Sequence, residues 1–253
     1  MNELAWHFLR RDRCMRFTPY TPIQAGKSYR AKGRLVPCEN GLHASILPLD
    51  ALRYAPGDIV CRVRLEGKCL VERDKCCARK RTVFWLADAA PVLHEFACLV
   101  TQQALDRASA AGQPPDPRSV AALAAKRAWL RGELDNDGLD AAWGLAWGAY
   151  HDGHRDDARI AARLAARYAQ DTIEPASNDS GWNAARDAIE AVSRLVGRLG
   201  EEGMNLNLER MLLALAPAGL TAPGDATSGR APAATPDTAA GATTYQQQGV
   251  TDA

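Results

Sequence analysis

Five histidines and seven cysteines are the side chains best suited to nucleophilic, acid–base or metal chemistry. Their spacing excludes several chemistries. His94-Glu95 opens like a zinc-protease HExxH helix, but Cys98 stands where the second histidine is required. His94 and Cys98 still share one helical face, as two metal ligands or as packing groups beside Phe96, and packing is the expected role. Cys69, Cys76 and Cys77 fall in what reads as a loop without CxxC spacing. Cys38, His43 and Cys61 could meet in a sheet, yet none belongs to a pair two to four residues apart, as structural zinc usually demands. No metal and no cofactor is therefore expected. His151 and His154, among Asp152, Asp156 and Asp157, read as a solvated helical turn. The chain has no glycine-rich phosphate loop, no GxSxG elbow and no recognisable Cys/His nucleophile pair.

His43 is the most informative of these residues. It lies in Gly41-Leu42-His43-Ala44-Ser45, a short extended run entered through a turn at Glu39-Asn40-Gly41. Alternation puts Gly41, His43 and Ser45 on one face and Leu42 and Ala44 on the other, with Leu42 toward the core. An imidazole between two small residues can stack on a ligand ring. It can equally hydrogen-bond the backbone and lock the adjoining turn, which is the expected role.

The elements that position His43 are legible. Pro48 suits the first turn of a helix carrying Leu49, Leu52 and Ala55 on one face, and Pro56-Gly57 stops it. Ile59 to Leu65 then alternates as a strand, with Ile59, Cys61, Val63 and Leu65 inward and Arg62 and Arg64 outward. Leu4 to Leu9 reads as a first strand, Lys27 to Arg30 lies between turns, and Thr82 to Leu86 is a last strand after a basic run, Arg79-Lys80-Arg81.

Beyond residue 87 the pattern becomes helical and alanine-rich. Asp88 can cap a helix with Pro91 in its first turn and a Leu93/Phe96/Ala97/Val100/Ala104 stripe. The spacing extends this helix over Val92 to Ala110 and packs its stripe on the sheet. Asp116-Pro117 starts the next, marked by Val120, Leu123, Ala124, Arg127 and Leu130 and ending near Gly132. An Ala/Trp-rich stretch follows from about Gly138 to Gln170, with Trp143, Trp147 and Tyr150 at helical spacing. Another helix begins at Asp179 or Ser180, and Leu206 to Leu215 closes the folded part. Residues 218–253 lack large apolar side chains to offset the entropy of ordering, so disorder is expected there.

Charge divides the chain. Residues 1–83 hold 17 Lys+Arg against 8 Asp+Glu, a balance of +9, while the whole chain carries +1. A basic half can attract nucleic acid or an acidic protein surface, or be neutralised by the acidic remainder across an internal interface. Internal neutralisation is the expected reading. No apolar run reaches eighteen residues, the N-terminus places charge after a very short apolar run, and the cysteines form no paired framework. A cytoplasmic protein without membrane contact is expected.

Two resemblances add to this. The segments CENGLHASILPLDALRYAPGDIVCRVRLEG, LHEFACLVTQQAL, PDPRSVAALAAKRAWLRGEL and NLNLERMLLAL together resemble a family of phage and prophage proteins, over roughly residues 4–216. The helical half, chiefly DPRSVAALAAKRAWLRGEL, is similar to an alanine-rich domain of immunity proteins in bacterial toxin systems. These resemblances imply a setting of phage, bacterium and conflict, and a host or phage protein as partner.

The strand half also looks like the middle of a poly(ADP-ribose)-polymerase-type ADP-ribosyltransferase domain. The residues concerned are Gly41 to Ser45, Arg53-Tyr54-Ala55 and Val60 to Gly67. That resemblance implies His43 where a tyrosine would stack nicotinamide, His7 of Trp6-His7-Phe8 on an early strand, and Ser45 and Tyr54 beside them. It also asks for a catalytic glutamate on a later strand, and Arg81 to Trp85 has none.

The expected architecture is α+β. A small basic β-rich domain at 1–87, remotely ADP-ribosyltransferase-like, precedes an alanine-rich helical bundle at 88–217 and a tail at 218–253. The expected function is non-enzymatic binding of a host or competing-element protein, with Arg79, Lys80 and Arg81 as partner contacts. An NAD- or nucleotide-handling enzyme using His7, His43, Ser45 and Tyr54 is the alternative, and nucleic acid is a further partner open to the basic half.

Overall fold

Two thirteen-residue strands form the frame of the fold. In the computed structural model, which describes residues 2–16, 21–151 and 180–218, β4 (Ile59–Val71) and β5 (Cys76–Asp88) pair antiparallel along their length. β1 (Asn2–Leu9) pairs antiparallel with the other edge of β4, from Asn2 opposite Glu66 to Leu9 opposite Ile59. β2 (Ser28–Arg30) and β3 (Leu42–Ala44) both pair antiparallel with the free edge of β5. Ser45, just after β3, then exchanges two backbone hydrogen bonds with Trp6 of β1, at 2.7 and 3.0 Å. The path β1–β4–β5–β3 thus returns to β1, and the sheet closes on itself. Closure leaves fewer strand edges unpaired.

The strands are longer than the hydrophobic pattern indicates because both faces are covered. Ile59, Cys61, Val63 and Leu65 are buried together with Ala5, Leu9, Ala44 and Val83. Trp6, Phe8, Val60 and Trp85 turn the other way, into a core shared with the helices. Arg62, expected outward, is therefore buried under the helices, its guanidinium 4.3 Å from the centre of the Trp6 ring. Cys69, Cys76 and Cys77, expected in a loop, lie within β4 and β5. Register slips between Arg62 and Val63 and between Glu66 and Cys69 bend the hairpin, and Gly67 takes the positive φ of 77° at the second slip.

The helices follow their caps. α1 (Pro48–Arg53) has proline in its first turn, and its Leu49 N–H donates to Asn205 Oδ1 at 3.1 Å. α2 (Ala90–Ala110) starts where the Ala90 N–H donates to Asp88 Oδ1, and it lays Leu93, Phe96, Ala97 and Val100 on Trp6, Phe8 and Trp85. α3 (Pro117–Leu130) is capped by Asp116, whose carboxylate accepts the Arg118 N–H. Its buried face is rotated from the expected stripe: Ser119, Ala122, Leu123 and Lys126 are inside and Val120 is out. α4 (Asn136–His151) follows, and the rest of the expected Ala/Trp-rich stretch lies outside the described residues.

α5 (Ser180–Leu213) merges the last two expected elements into one 34-residue helix through Gly197, Gly200 and Gly203. Met204, Leu208 and Leu212, four residues apart, dock it into the same core as α1, α2 and β1. The expected tail beyond residue 218 lies outside the described residues. The fold is α+β, with one apolar core joining the sheet to the helices. Among the described residues no helix is long and apolar enough to cross a membrane.

Candidate functional site

Arg81 occupies the point where the five strands meet. It is the register partner of Leu65 on β4 and Tyr29 on β2, and its Nη1 donates to the His43 carbonyl of β3 at 2.7 Å. Its charge acts on His7 of β1, His43 of β3 and Cys61 of β4, and the Tyr29 phenol of β2 acts on it in turn. Each strand thus contributes to the surroundings of one guanidinium.

Arg81 is 3 % exposed, and its Nε has no hydrogen-bond partner. Among the described residues no carboxylate pairs with it. Burial lowers its pKa from 12.5 to about 10, so it remains a cation at neutral pH. Burial pushes the Cys61 thiol up to about 12 against the opposing pull of Arg81, so Cys61 is a thiol and not a nucleophilic thiolate.

His7 stands opposite Cys61 in the β1–β4 register and is partly buried. Burial, then the charge of Arg81, then His43 hold its pKa well below 6.5, so the ring is neutral at pH 7. It makes no hydrogen bond with any described residue. His43 is different. Its Nε2 accepts the backbone N–H of Cys38 at 3.0 Å, and burial, Arg81 and Lys75 lower its pKa against the opposing effects of Glu72 and a hydrogen bond to the Gly41 backbone. Its ring is held within the turn 38–43.

The other two candidates sit apart from Arg81. Ser45 is buried and closes the sheet through its backbone. Tyr54 is exposed and donates to Asp74 Oδ2 at 2.7 Å, which raises its pKa. Lys75 lies 4.6 Å from the centre of the Tyr54 ring and donates to Cys38 Sγ at 3.1 Å, which links this surface group to the His43 turn. The charge of Arg81 thus acts on both His7 and His43, whereas Tyr54 is shifted by Asp74 and Lys75 and Ser45 serves through its backbone.

The basic run is not a solvated patch. Arg79 Nη1 donates to the carbonyls of Ala31 and Gly33, Lys80 pairs with Glu66 at 2.9 Å, and Arg81 is interior. Glu66, which also accepts from Thr82 Oγ1 at 2.6 Å, has its pKa lowered by that bond and by Lys80. The expectation of direct partner contact by all three cations is corrected for Arg81, which faces inward because strand pairing continues through the run. In the helical half, His94 packs edge-on against Trp129 with ring centres 5.8 Å apart, and Cys98 is buried with Leu105 and Leu123.

Sequence reasoning missed Arg81 as the centre because an arginine in a basic run reads as solvated. The available signal was its period-two relation to Val83, an interior position. A fixed cation beside a neutral imidazole can hold an anion.

Set against known proteins, residues 5–95 match the model of a domain of unknown function (DUF7666). The match spans β2 to β5, most of β1, α1 and the start of α2, and so contains the whole Arg81 site. No curated protein and no solved structure matches the chain.

Proposed function

We propose that this chain is a non-enzymatic binding protein of phage or prophage origin, acting in the host cytoplasm on a protein of the host or of a competing element. The observation that carries the non-enzymatic part is the make-up of the strand site: among the described residues no carboxylate pairs with Arg81 or shifts His7, and Glu72 acts only on His43, whose ring is tied to its own turn. A protein partner is supported by the helical half. Trp143 and Trp147 of α4 stack at 5.8 Å, with Trp147 41 % and neighbouring Leu145 60 % exposed, and aromatic residues are favoured anchors in interfaces. The phage and immunity setting rests on the resemblance of the joined segments. Capture from host lysate on the immobilised full chain, repeated with Trp147→Ala, tests the reading. A specific protein retained by the parent and lost by the variant is expected; equal retention by both would overturn the α4 surface.

A second reading, NAD handling of the ADP-ribosyltransferase type, is favoured by one observation. His7 and His43, two of the four residues that resemblance implies, lie within electrostatic reach of each other. Release of nicotinamide from NAD by the purified chain would establish it in place of the first.

A further inference from the structure

A buried cation with unused donors calls for an anion. Arg81 gives one N–H to the His43 carbonyl, and its Nε is sealed from solvent without an acceptor. An unsatisfied buried polar group costs stability, more so when charged, so a bare guanidinium here is not explained by folding. The neighbouring residues do not supply what is missing. Tyr29 Oη donates to the Pro22 carbonyl and accepts the Gln24 N–H, His43 is tied to its turn, and Cys61 is a protonated thiol. His7 alone keeps an uncommitted ring, and it is partly open to solvent where Arg81 is not. The uncommitted groups are therefore one buried cation and one neutral, partly exposed imidazole.

From this geometry we propose that Arg81 and His7 form a binding site for a phosphoryl group, entered past His7, in which Arg81 supplies the charge-assisted hydrogen bonds and His7 a further one. An arginine fork matches phosphate oxygens. A neutral imidazole suits a phosphoryl group better than a carboxylate, because the monoanion carries both P–OH and P–O⁻ and can satisfy either tautomer. The strand half is then the ligand-binding module of the protein read above as a binding protein, and this inference rests on that reading for the absence of turnover.

The test uses the full chain with histidine-detected NMR titration and calorimetry. Inorganic phosphate, ribose 5-phosphate and ADP are the probes, and acetate is the carboxylate control. The expected result is saturable binding of at least one phosphoryl probe, with the His7 ring resonances moving and acetate failing to compete. The probe bound best separates free phosphate from a phosphate ester. Affinity should fall by about tenfold or more in His7→Phe and in Arg81→Met, the loss typical of hydrogen bonds to a charged group. Melting curves show whether each variant is folded. If no probe binds by about 10 mM, the limit of very weak affinity, the proposal is overturned. Undiminished binding in folded His7→Phe, or acetate competing as well as phosphate, would overturn it too. Phosphoryl binding together with nicotinamide release from NAD would uphold this site and refute the non-enzymatic reading. Capture of a host protein without phosphoryl binding would do the reverse.

Discussion

The backbone N–H of Cys38 donates to Nε2 of His43 at 3.0 Å, and this bond turns a potential catalytic residue into the lock of its own turn. Cys38 needs the lock because its φ is 65°, an uncommon conformation for a residue with a side chain. Replacing His43 by Ala should cost about 1–2 kcal/mol, the value of a partly buried hydrogen bond and the packing lost with it. In a chain of this size that lowers the melting temperature by a few degrees. Phosphoryl binding, which uses only the His43 carbonyl as a support for Arg81, should persist. A variant as stable as the parent would show that the turn holds without the imidazole.

Gly41 is the second fixed point of the same turn. Its φ is 149°, and a Cβ there would collide with Cys77 Sγ. Gly41→Ala should therefore destabilise by about 2 kcal/mol or more, combining backbone strain with overpacking. Pairing it with Cys77→Ala, which removes the clashing sulfur, should recover part of the loss in chemical denaturation. No recovery would mean that backbone strain and the close approach to Leu35 set the cost.

The fold was legible where local rules act alone. The Asp116 cap, Pro48 at the start of α1 and the inward alternation of Ile59 to Leu65 can each be read from a few neighbouring residues. Tertiary contacts decided the rest. Arg62 reads as outward on a two-faced strand, and only the docking of α2 and α5 buries it under Trp6. Arg81 reads as solvated because its neighbours Arg79 and Lys80 are charged. Its burial follows from β2 and β3 pairing to β5, a long-range event without local signature. The site was half visible for the same reason: His7 and His43 were named, but the residue that brings them together was placed outside.

Acid should destabilise the protein through its histidines. Burial, reinforced by Lys126, lowers the pKa of His94 from 6.5 to about 3. Below pH 6.5 the unfolded chain takes up a proton that the folded chain refuses, so stability falls as pH drops from 6.5 toward 3. The slope is up to about 1.4 kcal/mol per pH unit for each such group. His7, also held below 6.5, acts in the same direction. Between pH 6.5 and about 5.5 carboxylates of ordinary pKa stay roughly nine-tenths ionised or more, so His94, His7 and His43 dominate the fall. His94→Gln should flatten the fall in melting temperature over this window relative to the parent. Parallel curves would show that His94 is free to charge where it lies.

Arg81 yields the sharpest prediction, because its effects on stability and on binding should have opposite signs. Removing one partner of a buried ion pair strands a charge, but Arg81 has no described carboxylate to strand. Arg81→Met fills similar space without a charge to desolvate, and apolar replacement of buried charged groups is often neutral or stabilising. The bond to the His43 carbonyl is lost, at a cost of about 1 kcal/mol, which the relieved burial of charge should match or exceed. The variant should therefore melt at or above the parent temperature in phosphate-free buffer. Adding a phosphoryl ligand should raise the melting point of the parent alone, by about 2.7 kcal/mol of stabilisation at a hundred times its dissociation constant. A parent protein unmoved by ligand, with Arg81→Met strongly destabilised, would instead make the guanidinium a structural tie between β5 and β3.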